Sequence, residues 1–223
     1  MFIVAMIVFV GATNIYNFMD GINGITAGYS LSVLIPLVLM NTKVPFMVNS
    51  FLIVIILSVL VFSFFNFRPR GKAKCFAGDV GSVGIAFILL FAIGMLIVKT
   101  GDITWLVFLL VYGVDGCLTI CHRILLHEKL GEAHRKHAYQ LMANELKMSH
   151  PLVSCIYMLL QLVVSLGFIY LCPLLEGKCG LSLVAWHWIY LAAALVLLAV
   201  AYILFKKKYY HLHEEYLASL KKL

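Results

Sequence analysis

The chain has 223 residues, of which 63% are hydrophobic and 12% charged, and its mean hydropathy is +1.01. Soluble domains average roughly half apolar and a quarter charged residues, so a water-soluble enzyme, a disordered segment and a nucleic-acid-binding module are excluded. The net charge of +7 does not restore a nucleic-acid partner, because the cations sit in loops between long apolar runs.

The first predicted element, Met1–Ala12, is apolar but shorter than the about 20 residues a membrane helix needs. It reads as the second half of a helix, and it lacks the basic leader and cleavage site of a signal peptide. Six further runs are long enough or nearly so: Ile25–Met40, Phe46–Phe65, Val80–Val98, Ile103–Cys121, Leu152–Cys172 and Leu183–Phe205. The predicted fold is all-α, a polytopic membrane helical bundle of seven apolar segments forming one domain over 1–223. Alternating the loops gathers Asn14–Gly24, Asn66–Asp79, His122–Pro151 and the tail from Lys206 on one side. That side carries fourteen of the seventeen Lys and Arg residues; Lys43, Lys99 and Lys178 are on the other. The positive-inside rule makes the first side cytoplasmic and the protein a multi-pass inner-membrane protein in a lipid bilayer. Of six cysteines, Cys172 and Cys179 flank one outer loop, where a disulfide and two unpaired thiols are equally open readings.

Three polar islands fall on the basic side. In the first, Asn14, Asn17, Gly21, Gly24 and Gly28 recur at helical spacing, with Asp20 and Asn23 beside them. Small-residue helix packing accounts for the glycines. It does not account for three asparagines and an aspartate at the mouth of a membrane helix, where polar groups are costly and usually functional. The second island, Asn66–Ser82, packs Arg68, Arg70, Lys72 and Lys74 ahead of Gly78-Asp79-Val80-Gly81-Ser82. A helix start with free N–H groups suits phosphate, and Asp79 is either a helix N-cap or a Mg²⁺ ligand. The third island holds His134, Arg135, Lys136 and His137. Its residue types suit phosphate, and a solvated basic face is the competing reading. Asp115 interrupts the fourth long run and either supports the site or pairs with Arg123 about two turns later.

Together the islands resemble the polyprenyl-phosphate N-acetylhexosamine-1-phosphate transferases, glycosyltransferase family 4. The resemblance rests on Asn14–Gly24 (Asn-x-x-Asn-Phe-x-Asp-Gly-x-x-Gly), Phe76–Ser82 (Phe-x-Gly-Asp-x-Gly-Ser) and His134-Arg135-x-His137, and it runs to about Asn144. It implies a transferase that moves a sugar 1-phosphate from a UDP-sugar to a polyprenyl phosphate, releases UMP and uses Mg²⁺, with Mn²⁺ as the alternative. It further implies Asp79 and Asp20 as metal ligands, and Asp20, His134, Arg135 and His137 as catalytic residues. Asn14, Asn17, Asn23, Lys74 and Ser82 are the implied substrate-binding residues, and a second copy of the chain is an implied partner. The third motif lacks consecutive histidines, which resembles the branch that starts surface glycans with an N-acetylhexosamine, GlcNAc in particular. The family's upstream aspartate pair is absent, so several family helices are expected ahead of Met1. The competing functions are an inactive remnant of that enzyme and a membrane transporter, which would place its charges near the midplane.

Overall fold

The computed structural model describes residues 2–129, 131 and 135–220. Among the described residues eight α-helices run in the order α1 (Phe2–Phe18), α2 (Ile25–Lys43), α3 (Asn49–Asn66), α4 (Gly78–Thr100), α5 (Leu110–Leu125), α6 (Ala138–Asn144), α7 (His150–Leu175) and α8 (Leu183–Leu220). A 3₁₀ stretch, Ile103–Leu109, leads into α5, and no strand occurs among the described residues. Six of the helical segments are long and apolar enough to cross a membrane. The protein is thus a polytopic all-α bundle, as its hydropathy dictates.

Two elements differ from the sequence reading. The helical stripe from Asn14 to Gly28 is broken. The helix stops at Phe18, and Gly24 has a φ of 88°, a left-handed conformation that an L side chain rarely adopts. The last apolar run ends at Phe205, but α8 continues to Leu220, since Lys, Tyr and Glu are tolerated in a solvated helix. All six cysteines are free; Cys172 is buried and Cys179 exposed, which decides for unpaired thiols.

The core is centred on α2, whose buried face packs on α3, α4 and α7. Tyr29 stacks on Tyr112 with ring centroids 3.5 Å apart, and Tyr16 leans on both. The switch from 3₁₀ to α-helix at Leu109 and Leu110 leaves backbone groups of that break facing the apolar interior. Gln161 on α7 occupies the gap. Its carboxamide oxygen accepts from the Val111 N–H (3.0 Å) and the Tyr29 hydroxyl (2.7 Å), and its NH₂ donates to the Val107 carbonyl and Ser165. One side chain therefore substitutes for the missing helical bonds, which hydrocarbon would otherwise leave unmet. At the end away from the polar islands, Asp102 accepts from Thr104 and meets His187 Nδ1 at 2.5 Å, tying the start of α8 to the turn after α4.

Gln161→Leu keeps the volume and orphans those groups. Each buried orphan costs about 1–3 kcal/mol, so unfolding in detergent is expected at clearly lower temperature or denaturant. An unchanged midpoint would show that the break is satisfied elsewhere.

Candidate active site

The site grows from the turn between α1 and α2. Asn23 is buried, and its side-chain amide donates to the carbonyls of Arg68 and Pro69, both at 3.0 Å. Its backbone N–H donates to His150 Nδ1 (3.2 Å) and its carbonyl accepts from Ser154. The next N–H, Gly24, donates to Asn66 Oδ1 (2.7 Å), while the Asn66 amide group donates to the Cys75 carbonyl (2.8 Å). These bonds fold the loop after α3 over the turn before α2. Asn23 is therefore spent on backbone carbonyls and acts as a brace.

With the loops stitched, the first two islands meet. Asn17 Oδ1 accepts from the Ser82 hydroxyl at 2.7 Å, linking the end of α1 to the first turn of α4. Asp20 accepts from the Thr26 hydroxyl and from the Gly78 backbone amide, which brings it within electrostatic reach of Asp79. Burial and then the Asp79 charge push the Asp20 carboxyl up to about 6, against the pull of Thr26 and Gly78. Asp79 is exposed and lies inside the first turn of α4, while Ala77 is the N-cap and no side chain caps the helix. The N-cap reading of Asp79 is thereby replaced. The helix dipole still favours its charge there. Asn14 is exposed, with its amide on the Val10 carbonyl, and Lys74 is exposed at the edge of the loop.

The third island docks by a different surface. The Tyr139 hydroxyl donates to the Phe18 carbonyl at 2.9 Å and lies against Gly21, where a Cβ would sit 2.1 Å from it. Glycine at 21 is thus a contact requirement. His137 is buried, with Nδ1 3.1 Å from Asp115 Oδ1, so it serves the site through the loop it anchors. Asp115 also accepts from the Ala138 N–H (3.1 Å), Thr119 and the Tyr157 hydroxyl (2.5 Å). Arg123 bonds Glu128 and the Lys129 carbonyl, so of the two readings of Asp115 the Arg123 pair is not the one formed: the partner His137 is brought in by the loop. Arg135 is exposed and faces a cavity of about 410 Å³ that Arg70 and Lys147 also line. His134 lies outside the described residues.

Residues 1–99 match the family model described as Glycosyl transferase family 4, a stretch that holds both stitched islands. A Bacillus subtilis protein named "Probable undecaprenyl-phosphate N-acetylglucosaminyl 1-phosphate transferase" is 33% identical over 172 residues, covering 73% of this chain and 46% of that protein. The chain belongs to glycosyltransferase family 4. The Phospho-N-acetylmuramoyl-pentapeptide-transferase of Deinococcus radiodurans is 37% identical over 81 residues, 36% of this family 4 chain and 22% of the relative. The chain thus spans less than half the length of these curated relatives.

A divalent cation fits the residues present. Asp20, in the turn after α1, lies within electrostatic reach of Asp79 in the first turn of α4, so two carboxylates from separate segments come to one place. Among the described residues no group of three or more His, Cys, Asp or Glu side chains forms a closed cage. That pattern suits Mg²⁺, which is held by one or two carboxylates and completed by water and substrate phosphates.

The Asp20 shift has a definite sign. Its folded value lies above the ordinary carboxyl value of 3.8, so its contribution to stability is full below that value and is lost as pH rises through about 6. In metal-free detergent solution, the unfolding temperature of wild type relative to Asp20→Asn should fall between pH 4 and 6.5, and Mg²⁺ should reverse the fall at the upper end. Parallel titration curves for the two proteins would contradict the burial of the Asp20 carboxyl.

Proposed function

We propose that the family 4 chain carries the site for transfer of an N-acetylhexosamine 1-phosphate, GlcNAc 1-phosphate in particular, from a UDP-sugar to undecaprenyl phosphate. UMP is released, and the product starts a cell-surface glycan. The observation that carries this reading is the approach of Asp20, in the α1–α2 turn, to Asp79, in the first turn of α4, at one end of a membrane bundle, with Arg68, Arg70, Lys72 and Lys74 in the loop that leads into α4. The name of the Bacillus subtilis relative supplies undecaprenyl phosphate and the N-acetylglucosaminyl 1-phosphate group, and the UDP-sugar donor is taken from the family resemblance.

The chemistry needs one soluble and one membrane-bound substrate at the same surface. An oxygen of the lipid phosphate attacks the β-phosphorus of the UDP-sugar, the bond from that phosphorus to the bridging oxygen breaks, and UMP leaves with the electron pair. A lipid phosphate with a second pKa of about 6 is already largely ionised near neutral pH, so no strong base is required of this chain. Catalysis is then mostly positioning and charge neutralisation. Asp79 and Asp20 would hold Mg²⁺, which supplies Lewis-acid stabilisation of the phosphate charge when bound. Asn17 and Ser82 lock the α1–α4 junction that sets both carboxylates. Asn14, Lys74 and Arg135 are exposed, and Arg135, with His134 by its residue type, would offer donors to the pyrophosphate. An apolar cleft of about 340 Å³ between α2, α3 and α4 reaches Thr26 and Gly81 next to the carboxylates, and it suits the first isoprene units of the lipid. Its hydroxyls are already committed: Thr26 to Asp20, Ser30 to the Thr26 carbonyl and Ser58 to the Val54 carbonyl.

Two measurements test the reading. Purified chain incubated with radiolabelled UDP-GlcNAc, undecaprenyl phosphate and Mg²⁺ should give labelled lipid, with Asp79→Asn lowering turnover at least about 100-fold while folding is retained, as loss of a charge-stabilising group does. Near-normal turnover in Asp79→Asn would remove the metal site. For orientation, a cysteine at exposed position 74 should react with impermeant reagent only from the cytoplasm, and one at exposed position 178 only from outside. The reverse pattern would put the site on the wrong side for a UDP-sugar.

A further inference from the structure

α8 is longer than a membrane crossing requires. Its 38 residues extend about 57 Å, against a hydrocarbon core of about 30 Å. The excess projects at the end where the polar islands meet, and there it makes a set of contacts that the motifs do not explain. Lys206, Tyr210 and His213 share one helix face. The Lys206 ammonium donates to the Lys136 carbonyl, the Tyr210 hydroxyl bonds the Lys136 side chain, and His213 Nδ1 lies 2.6 Å from Glu145 Oε1. Lys206 also sits over the Tyr210 ring at 4.8 Å. Lys206, Lys136 and His213 are all buried. Burying a lysine at a loop carbonyl and an aromatic face is costly, and tail-to-headgroup attraction alone would leave it exposed.

What these contacts hold is the 136–145 segment, and with it the neighbouring Arg135. Arg135, Arg70 and Lys147 come from three separate stretches of chain and open into one cavity, which Leu212 and Tyr216 of α8 wall on the far side. Glu145 also lines it, and His213 covers one of its oxygens. The cavity therefore has a net cationic lining suited to a phosphate-bearing ligand. Leu212 and Tyr216 lie about 9 and 15 Å beyond Lys206 along the helix. With the hydrocarbon boundary taken at the end of the apolar run, Phe205, a headgroup layer of about 5–8 Å would end short of these residues, which favours a phosphate on a soluble molecule.

We propose that Lys206 and His213 are positioning residues: through them the projection of α8 fixes the third loop so that Arg135 faces the cavity shared with Arg70 and Lys147, and so sets the affinity for a soluble phosphate ligand. This inference rests on the proposed transfer reaction for the identity of that ligand, UDP or its sugar conjugate, and not for the clamp itself.

The test uses the full chain in neutral phosphatidylcholine nanodiscs with Mg²⁺, comparing wild type, Lys206→Met, Lys206→Arg and His213→Phe. Hydrogen exchange should accelerate at least tenfold across 138–145 in Lys206→Met and His213→Phe, and stay unchanged across 25–40. The Kd for UDP should rise about tenfold in both, a loss of about 1.4 kcal/mol, while Lys206→Arg restores wild-type exchange and affinity. Unchanged exchange across 138–145 overturns the clamp. Faster exchange with an unchanged UDP Kd overturns its role in binding, as does a weakened Kd that merely tracks global unfolding. Loss of UDP binding when phosphatidylglycerol replaces phosphatidylcholine would assign the cavity to headgroups and overturn the soluble-ligand assignment. If wild type binds no UDP while the exchange effect holds, the transfer reading and the ligand assignment fall together and the clamp alone stands.

Discussion

A polypeptide that leaves a helix at the edge of a bilayer must find partners for its freed amides and carbonyls, and here the turn Asn23–Gly24 depends on three other segments for them. Asn66 takes the Gly24 amide, His150 takes the Asn23 amide, and the Asn23 side chain holds the Arg68 and Pro69 carbonyls. Hydrogen bonds in a partly dry region are electrostatically stronger than in water and costly to leave unmade. The positions of Asp20, ahead of the turn, and of Asp79, beyond the stitched loop, follow from this knot.

The same economy governs charge. Asp20 is held above the ordinary carboxyl range, first by burial and then by the nearby Asp79 charge. Asp115, by contrast, is fully hydrogen-bonded by Tyr157, Thr119, the Ala138 amide and His137, so it acts as a buried post around which the third loop folds. Two kinds of aspartate therefore share one protein. Asp20 is half-buried with Thr26 and Gly78 donating to it and Asp79 is exposed, whereas Asp115 has its hydrogen bonds met inside.

The spans are readable because burial in hydrocarbon requires long apolar runs, and five of the six segments long enough to cross match predicted runs within a few residues, the sixth sharing its start at Leu183. What hydropathy misses is where a helix continues after it turns polar, as α8 does past Phe205. Spacing misled at Asn14–Gly28, since a three-and-four recurrence of small residues fits a helix and a glycine turn equally well until the φ of Gly24 is known. Asn23, Asp20, Asp79 and Ser82 were visible as polar residues out of place. Their braces, Asn66, His150 and Tyr139, were not singled out, because each acts on a partner 42 to 127 positions away. Asp115 shows the same blindness: a local arginine was the natural partner on paper, and a histidine 22 positions on is the partner in space.

The contact between Gly21 and Tyr139 has a consequence for how the protein is made. The Tyr139 hydroxyl fits only because position 21 has no Cβ. Ribosomes add about 5–20 residues per second, so the tyrosine emerges on the order of 6–24 seconds after the glycine it must meet. During that interval α1 to α4 have already been threaded toward the bilayer with the Asp20 turn uncovered on one side. Closure of that turn is consequently a late event of biogenesis, completed by a loop that arrives after most of the helices whose ends it joins.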